Sequence, residues 1–440
     1  MPVSTFMGLQ TTLRGLLAHQ QALTTTSHNV ANANTVGYSR QTVDLTATSP
    51  LVIPANSVIT GAGAQLGTGV DVTAVRRIRD TFLDLQYRAQ IMKLGDAAAR
   101  ANSLEQAELA FAEPSSDGIS SQLAEFWDAW SALARAPEDD AARQSLVTKA
   151  TTLAATFKAV YDQLTVVAAQ AQQEYDAITG PNGQIDLWSR EIAQLNETIS
   201  HAVAVGQTPS DLMDRRDLLI DRLAELGQVS VTDTGNSNLR IEFGGVTLVD
   251  PLRGAIWPQT LTRPGGKLGA LQELASPTGP ALTFRARLDD VVADLVARVN
   301  ALHAAPAGVD FFDPAGTTAD TLAVVAIPAT VQAGSTADPG RNDIALAIAQ
   351  LRGGSTERLY DALVAEVGGE VQSIRRTEVN VQALVDAIED RRQSVQGVSI
   401  DEEMANLVRF QRGYEASARA MTTIDDLLDT LINRTGRVGL

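Results

Sequence analysis

Apolar residues recur at alternating spacings of three and four near both ends of the chain. This spacing places them along one side of an α-helix and predicts amphipathic helices with coiled-coil-like seams. Ser417 is the one exception in the C-terminal pattern. Because each helix has a single seam that needs a partner, we expect the two ends to lie side by side. The seam residues expected at contact surfaces are Leu9, Leu13, Leu16 and Leu23, and Leu407, Phe410, Tyr414, Met421, Ile424, Leu428 and Leu431.

Helical patterns also dominate the middle of the chain. Two helices are expected on either side of Pro137, since proline interrupts a helix, and a third over about Ile185–Ala204. The segment TPSDLMDRRDLLIDRLAEL predicts a fourth helix. Its expected start has Thr208 as N-cap, Pro209 at the first helical position and Asp211 completing a capping box.

A change of period marks β structure after this helix. The segment VSVTDTGNSNLRIEFGGVTLV alternates apolar and polar residues around a Gly-Asn-Ser-Asn turn, which predicts a β-hairpin. The β character continues to about Trp257. Helix resumes near Leu268 and again over Phe284–His303. A loose stretch rich in Pro, Gly, Asp and Thr spans about Pro306–Asn342, and long helices close the chain.

Together these patterns predict a mainly α, elongated, multi-domain fold. The chain has 440 residues, more than one ordinary core accommodates. We expect a terminal helical pair from residues 1–40 and 398–440. A helical central domain with short hairpins is expected from residues 41–226 and 269–397, and a small β insert from residues 227–268.

Charge and composition exclude several classes of function. The net charge is −17 and no block of Lys or Arg stands out, so nucleic acid and acidic membrane surfaces are disfavoured partners. With no cysteine, the chain has no disulfide, thiolate nucleophile or cysteine-ligated metal. The N-terminus lacks the basic segment followed by an apolar segment that a cleaved signal peptide has, so we expect no such signal. No apolar run is long enough to span a membrane. Composition alone would place the protein in the cytoplasm.

We find no motif for catalysis, a cofactor or a metal. The four histidines are scattered, and neither a nucleophile elbow nor a Walker A loop is present. The segment GAGAQLGTG, Gly61–Gly69, has the wrong spacing for a dinucleotide loop. A strand pattern follows it, whereas a phosphate site needs the N–H groups of a helix start. We therefore interpret it as a hairpin turn.

Asp214, Asp217 and Asp221 share one helical face, which a metal ion or a glycosidase could use. Three arginines are interleaved with them, namely Arg215, Arg216 and Arg222. Because local ion pairs can satisfy most of the carboxylates, we interpret this segment as a charged structural helix.

The segment SHNVANANTVGYSRQ interrupts the first helix with three asparagines and no acid. Asn and Gly tolerate left-handed backbone conformations, and Asn side chains cap backbone groups. Asn29, Asn32 and Asn34 with Gly37 can therefore end the helix and turn the chain into Tyr38. Amides also suit a contact repeated between subunits, where like charges would repel, so we expect this turn at an assembly interface. In a free chain we expect it to be solvated.

Segments at both ends resemble one protein family, the bacterial flagellar rod, hook and hook-associated axial proteins. The N-terminal matches are SHNVANANTVGYSRQ and GTGVDVTAVRRIRDTFLDLQYR, and the C-terminal match is GVSIDEEMANLVRFQRGYEASARAMTTIDDLLDTL. Two internal segments, Ser115–Leu146 and Ser210–Val231, are similar to the hook-associated members in particular. The match is loose over Gly244–Asn342, which is short for the family, so any outer domain is expected to be reduced.

The resemblance implies a structural, non-enzymatic role at the junction of hook and filament. It implies export without a cleaved signal and a final location on the extracellular flagellum, which replaces the cytoplasmic expectation. The implied partners are further copies of the chain in a ring, the hook protein, the next hook-associated protein toward the filament, and an export chaperone bound to the C-terminal helix. Two alternatives stay open: another rod or hook type of axial subunit, and an enzyme such as a wall hydrolase on an axial scaffold.

Overall fold

The two ends of the chain are α-helices that pack against each other in an antiparallel pair. The computed structural model describes residues 6–53, 64–305, 308–336 and 338–434. Helix α1 spans Phe6–Ala31, and helix α11 spans Ile400–Asp429 and continues into a π-helical turn at Thr430–Arg434. Gly8 lies opposite Ile424 and Gly15 opposite Ser417, which fixes the antiparallel direction. The expected pairing of the terminal helices is confirmed.

Nine further helices form the body of the described chain, and they include every helix expected from the sequence. Arg135 ends one and Asp140 begins the next, so the break expected at Pro137 is confirmed. Their bounds are α2 Thr81–Phe111, α3 Ile119–Arg135, α4 Asp140–Thr179, α5 Gln184–Ala204, α6 Ser210–Leu226, α7 Gly266–Leu274, α8 Pro280–His303, α9 Asp343–Ala349 and α10 Ser355–Gln396.

Three small antiparallel sheets accompany the helices. Strand β1, Gln41–Ala47, pairs with β4, Val70–Arg77, and β2, Leu51–Ile53, pairs with β3, Ala64–Leu66. The glycine-rich segment predicted to be a hairpin turn thus contains a strand of a hairpin, while Gly61–Gly63 lie outside the described residues. The third sheet has the order β5-β6-β7-β8. Its strands are β5 Val229–Asp233, β6 Leu239–Phe243, β7 Val246–Asp250 and β8 Gly254–Ala255.

Strands β5 and β6 of the four-stranded sheet form the β-hairpin that the sequence predicts. Its turn places Asn236 and Ser237 at positive φ, the conformation that such turns require.

Among the described residues, two large hydrophobic cores hold the helical body together, and a small third cluster of Val167, Ala168 and Ala281 joins α4 to α8. The first lies among α3, α8, α9, the start of α10 and the facing parts of α2 and α4, and it buries the aromatic side chains of Phe126, Trp127 and Trp130. The second lies between α5, α6, α7 and the sheet of β5–β8, with Ile220 and Phe243 fully buried. This sheet therefore shares its core with helices. Among the described residues, neither terminal helix contributes a side chain to either core.

The described part of the stretch Pro306–Asn342 has no helix or strand, as expected, but it is packed rather than loose. In its described part a single β-bridge joins Phe312 to Val324. Phe311 and Phe312 are fully buried in the first core, and Val331 is nearly so. Its many Pro, Gly, Asp and Thr residues suggest a loose segment, but a few large apolar side chains anchor it in the core.

Candidate assembly site

The apolar seam of α11 faces α1, as the sequence predicts. Close approach depends on small residues, because a Cβ added at Gly413 would lie 2.6 Å from the His19 ring. The Phe410 ring lies 6.4 Å from that of His19. Six predicted C-terminal residues are half-buried along this contact: Leu407, Phe410, Tyr414, Met421, Ile424 and Leu428. Leu431 is exposed in the π-helical turn.

On α1 the most buried side chains are small or polar rather than leucine. Leu9, Leu16 and Leu23 are half-buried, and Leu13 is exposed. The buried positions are Ala18, Ala22, Thr25, Thr26 and Asn29. Except for Asn29, sequence reasoning did not name these residues, because it followed the leucines. The usable signal was the helical spacing of small residues in a stretch without charge.

Asn29 is buried and makes four hydrogen bonds within the chain. Its Nδ2 donates to the Gln41 carbonyl oxygen at 2.8 Å and to Glu403 Oε2 at 3.1 Å. Its Oδ1 accepts from the Tyr38 hydroxyl at 2.8 Å and from the Gln41 N–H at 3.0 Å. The expectation that this segment is solvated in the single chain is therefore wrong for Asn29, because distant residues supply the partners.

The other residues of the turn have different surroundings. Asn32 donates from Nδ2 to the His28 carbonyl oxygen at 3.0 Å and so caps the end of α1, whereas Asn34 is exposed. Gly37 has φ +81° and lies against Leu218 of α6, where a left-handed backbone favours glycine. Burial, with nearby carboxylates, raises the pKa of the Tyr38 hydroxyl far above its ordinary value, so it remains a donor.

Beyond Tyr38 the chain is tied to α6 and α11 by acids from distant segments. The Asp214 carboxylate accepts from the Ser39 N–H at 2.9 Å and from the Ser39 hydroxyl at 2.8 Å. Arg40 donates to Glu403 at 2.8 Å and to Glu402 at 2.7 Å. The turn contains no acidic residue itself. Its acidic partners, Asp214, Glu402 and Glu403, come from α6 and α11 when the chain folds.

The start of α6 differs from the prediction. The helix begins at Ser210 with Pro209 at the cap position, and no side chain caps that end. Thr208 is therefore not the N-cap. Asp211 instead accepts from the Gln41 side-chain amide at 2.8 Å and contacts the His28 ring at 3.2 Å.

A buried network of arginines and carboxylates lies beneath this turn. Asp214 and Asp217 accept from Arg77 Nη1 at 2.8 and 2.9 Å, and Asp217 also lies 2.9 Å from Arg79. Asp221 accepts from Arg88 at 2.6 Å and from Arg392 at 2.9 Å. These arginines come from β4, the connection after it, α2 and α10, so the network joins four parts of the fold. We call it the charged hub: Arg77, Arg79, Asp84, Arg88, Asp214, Asp217, Asp221 and Arg392.

The predicted pairing of these acids with their neighbours on α6 is wrong, although the acids do serve as ion-pair partners. Adjacent positions on a helix do not face each other, so Arg215 and Arg216 point elsewhere. Arg215 pairs with Glu191 at 2.5 Å, and Arg216 donates to Asn196 at 2.9 Å.

The hub's two central acids have opposite pKa shifts. Burial opposes the charge of Asp217, but Arg79 and Arg77 outweigh it and hold the pKa of Asp217 below its ordinary value. Burial raises the pKa of Asp214, against the hydrogen bonds from Ser39 and Arg77. Asp217 thus stabilises the folded chain through its charge, whereas the charge of Asp214 is incompletely compensated.

No group of three or more His, Asp or Glu side chains in the described ranges is arranged to hold a metal ion. Within those ranges, none of the helices is long and apolar enough to cross a bilayer. The site therefore consists of the terminal helical pair, which has exposed apolar side chains, and the charged hub, whose Asp214 binds Ser39 in the turn after α1.

Comparison with known proteins identifies the family. The model described as flagellar hook-associated protein FlgK helical domain matches residues 104–255. A Bacillus subtilis (strain 168) protein named flagellar hook-associated protein 1 is 30% identical over 506 residues, covering 98% of this chain and 99% of the relative. The chain belongs to the flagellar hook-associated protein 1 family.

Further matches cover both ends of this family member. The model described as flagella basal body rod protein matches residues 9–38, which are α1 and the asparagine turn. The model described as flagellar basal body rod FlgEFG protein C-terminal matches residues 391–434, which include α11. The Escherichia coli (strain K12) flagellar hook-associated protein 1 is 26% identical over 552 residues, with 96% of this chain and 98% of the relative covered. The terminal pair is thus the part similar to rod proteins.

The chain is also similar to a solved structure, the flagellar hook junction protein FlgK from Burkholderia pseudomallei. The likeness has a TM-score of 0.41 with 24% identity and covers 50% of this chain and 43% of that chain.

Proposed function

We propose that this chain is a structural subunit of the flagellar axis that joins hook to filament. The single observation that carries the proposal is the combination of two kinds of structural unit in one chain. One chain carries an antiparallel helical pair, similar to rod proteins at both of its members, and a helical domain of the hook-associated type. Ser39, in the turn after α1, is hydrogen-bonded to Asp214 on α6 of that domain.

The exposed flanks of the terminal pair suit a subunit that contacts copies of itself. Leu17 on α1 is 53% exposed, and Met404 and Val408 on α11 are 48% and 44% exposed. Met404 and Val408 lie one helical turn apart on the same face of α11, so this face is our proposed contact surface. The seam residues and the asparagine turn predicted as an assembly interface remain our proposal for where neighbouring subunits meet, with Asn29 acting inside the chain.

We further propose the following division and partners. Residues 1–40 and 398–440 form the axial module, residues 41–226 and 269–397 the helical body, and residues 227–268 the β insert. The partners are other copies in a ring, the hook protein, the next hook-associated protein toward the filament, and an export chaperone on the C-terminal helix. The subunit carries no enzymatic activity and is exported without a cleaved signal to the outside of the cell.

The location of the protein on isolated flagella tests this function. A strain lacking the gene should release filament subunits into the medium, and an epitope-tagged copy should restore filaments and be labelled in a short zone between hook and filament. Label along the hook or the rod would instead support a rod or hook type of axial subunit and overturn our proposal. Cleavage of purified peptidoglycan by the isolated protein would favour the enzymatic alternative.

A further inference from the structure

His303 lies at the end of α8 with no exposed surface, and both of its ring nitrogens are used. Nδ1 lies 2.7 Å from the Val309 carbonyl oxygen, which can only accept. Nε2 lies 2.9 Å from the Gln332 backbone N–H, which can only donate. The ring is therefore neutral, with its proton on Nδ1.

The two contacts of this ring hold opposite ends of one irregular segment. Val309 lies near the start of the described segment, shortly after α8 ends at His303, and Gln332 lies near its far end, beside the buried Val331. Arg143 of α4 donates to the Val331 carbonyl oxygen at 2.5 Å. The imidazole is thus a bridge within a segment that has almost no regular backbone pairing of its own.

The near end of the segment has a second, non-titrating anchor one turn earlier on α8. Asn300 Nδ2 donates to the Phe312 carbonyl oxygen at 2.8 Å. Asn300 Oδ1 accepts from the Phe311 and Phe312 N–H groups at 3.0 and 2.9 Å. The far end has other anchors as well, because Arg143 donates to the Val331 carbonyl oxygen and the Ala345 N–H donates to the Ala333 carbonyl oxygen at 3.0 Å. Loss of the His303–Gln332 contact would therefore free the Gln332 backbone N–H between these two anchors and leave the near end fastened.

The surroundings of the imidazole are mainly apolar. The Trp130 ring from α3 lies 6.1 Å from it and the Phe311 ring from the segment 5.5 Å from it. Asp310 is a charged group that acts on the ring. Burial lowers the pKa of His303 below its ordinary value, against the Val309 carbonyl and Asp310.

We propose that His303 is an acid-sensitive clasp that releases the backbone N–H of Gln332, in the far part of the 308–336 segment, when the ring takes up a proton. The proton comes from solvent and binds Nε2, which then presents an N–H to the N–H of Gln332. Two donors cannot share a hydrogen bond, so the Gln332 contact breaks. The Nδ1–H bond to Val309 and the Asn300 anchor remain. The proposal concerns the helical body and does not depend on the flagellar role.

Hydrogen exchange of the full chain between pH 8 and pH 5, corrected for the intrinsic exchange rate, tests this. Because opening takes up one proton, the opening constant of peptides containing Gln332 should rise about tenfold per pH unit below about pH 6.5. Peptides over 309–312 should stay protected. The variant His303→Gln should lose this pH dependence, whereas His201→Gln, which removes an exposed histidine on α5, should keep it.

Three results would overturn the clasp. The first is protection at Gln332 that does not change with pH in the unmodified protein. The second is an unchanged pH dependence in His303→Gln, and the third is equal release of 309–312 and Gln332. Since His303→Gln could disturb folding, the imidazole should also be titrated by NMR in the unmodified protein, which has four histidines. A His303 ring that titrates at or above the ordinary value would contradict the clasp independently.

Discussion

The side-chain amide of Asn29 donates to the carboxylate of Glu403 at 3.1 Å, across 374 positions of the sequence. The same amide holds the backbone of Gln41, and Glu403 also accepts from Arg40. The end of α1, the start of β1 and the start of α11 therefore meet at one buried point. Since none of the three completes its hydrogen bonds alone, we infer that the two ends of the chain become ordered together.

Replacing Asn29 with Asp should destabilise the terminal helical pair in two ways. The change removes the donor to Gln41 and Glu403 and places a carboxylate beside a carboxylate. An unpaired buried group costs about 1–3 kcal/mol, and like charges at 4 Å repel by about 4 kcal/mol at an effective dielectric of 20. Because Arg40 also lies against Glu403 and offsets part of this repulsion, we expect a net loss of at least about 2 kcal/mol, seen as faster hydrogen exchange in α1 and α11 together. Asn34→Asp, at an exposed position, should change either helix by less than about 0.5 kcal/mol; equal effects of the two variants would contradict the buried role of Asn29.

Gly413→Ala should also separate the pair, by a steric route. The added Cβ would lie 2.6 Å from His19 Cε1, so the ring or the helix must move. The matched change Gly368→Ala lies within α10, where no atom comes within 4 Å of the added Cβ. It should stabilise the protein by up to about 1 kcal/mol through helix propensity alone. The midpoint of thermal unfolding, followed by far-UV circular dichroism, should therefore fall for Gly413→Ala and rise for Gly368→Ala. The double variant Gly413→Ala with His19→Ala should recover part of the loss, and no recovery would mean that another contact is responsible.

The sequence predicted elements well and partners poorly. The helical period located α1 and α11, and the alternation over 229–243 located a hairpin, because both patterns reflect local geometry. The partners of Asp214 and Asp217 come from Arg77 and Arg79, which lie far away in the sequence. No spacing rule connects such residues, so only the folded chain reveals the hub.

The asparagine turn shows the same limit at a single site. Asn29, Asn32 and Asn34 form one motif in the sequence, yet one is a buried bridge, one a helix cap and one exposed. Residue type correctly predicted a turn. It could not assign the three environments, because those depend on α6 and α11 packing against the turn.

The hub acids should respond to pH with opposite signs. The pKa of Asp217 is lowered in the folded chain, so below about pH 4 the unfolded chain binds more protons and stability is lost as pH falls. Asp217→Asn should remove this part of the acid loss. It should also cost about 3–5 kcal/mol at neutral pH, because two buried guanidinium groups lose a shared partner.

For Asp214 the pKa is raised, so the folded chain binds more protons just above pH 4 and gains stability there as pH falls. Asp214→Asn should remove that gain and make the acid loss steeper. Urea unfolding of both variants between pH 3 and pH 7 measures the two slopes. A change of slope in the same direction for both would show that the hub does not divide its acids in this way.

Removing the last 40 residues should leave the helical body intact and abolish the junction role. All four tryptophans, Trp127, Trp130, Trp188 and Trp257, belong to or pack against the two cores, and α11 contributes to neither. The fluorescence transition of the truncated chain on heating should therefore match that of the full chain. Because Arg40 and Asn29 lose Glu403, α1 should become sensitive to protease. In cells the truncated protein should not retain filaments on hooks. A lowered or broadened tryptophan transition would place α11 in the core of the fold, whereas intact filaments would show that hook and filament join without the terminal pair.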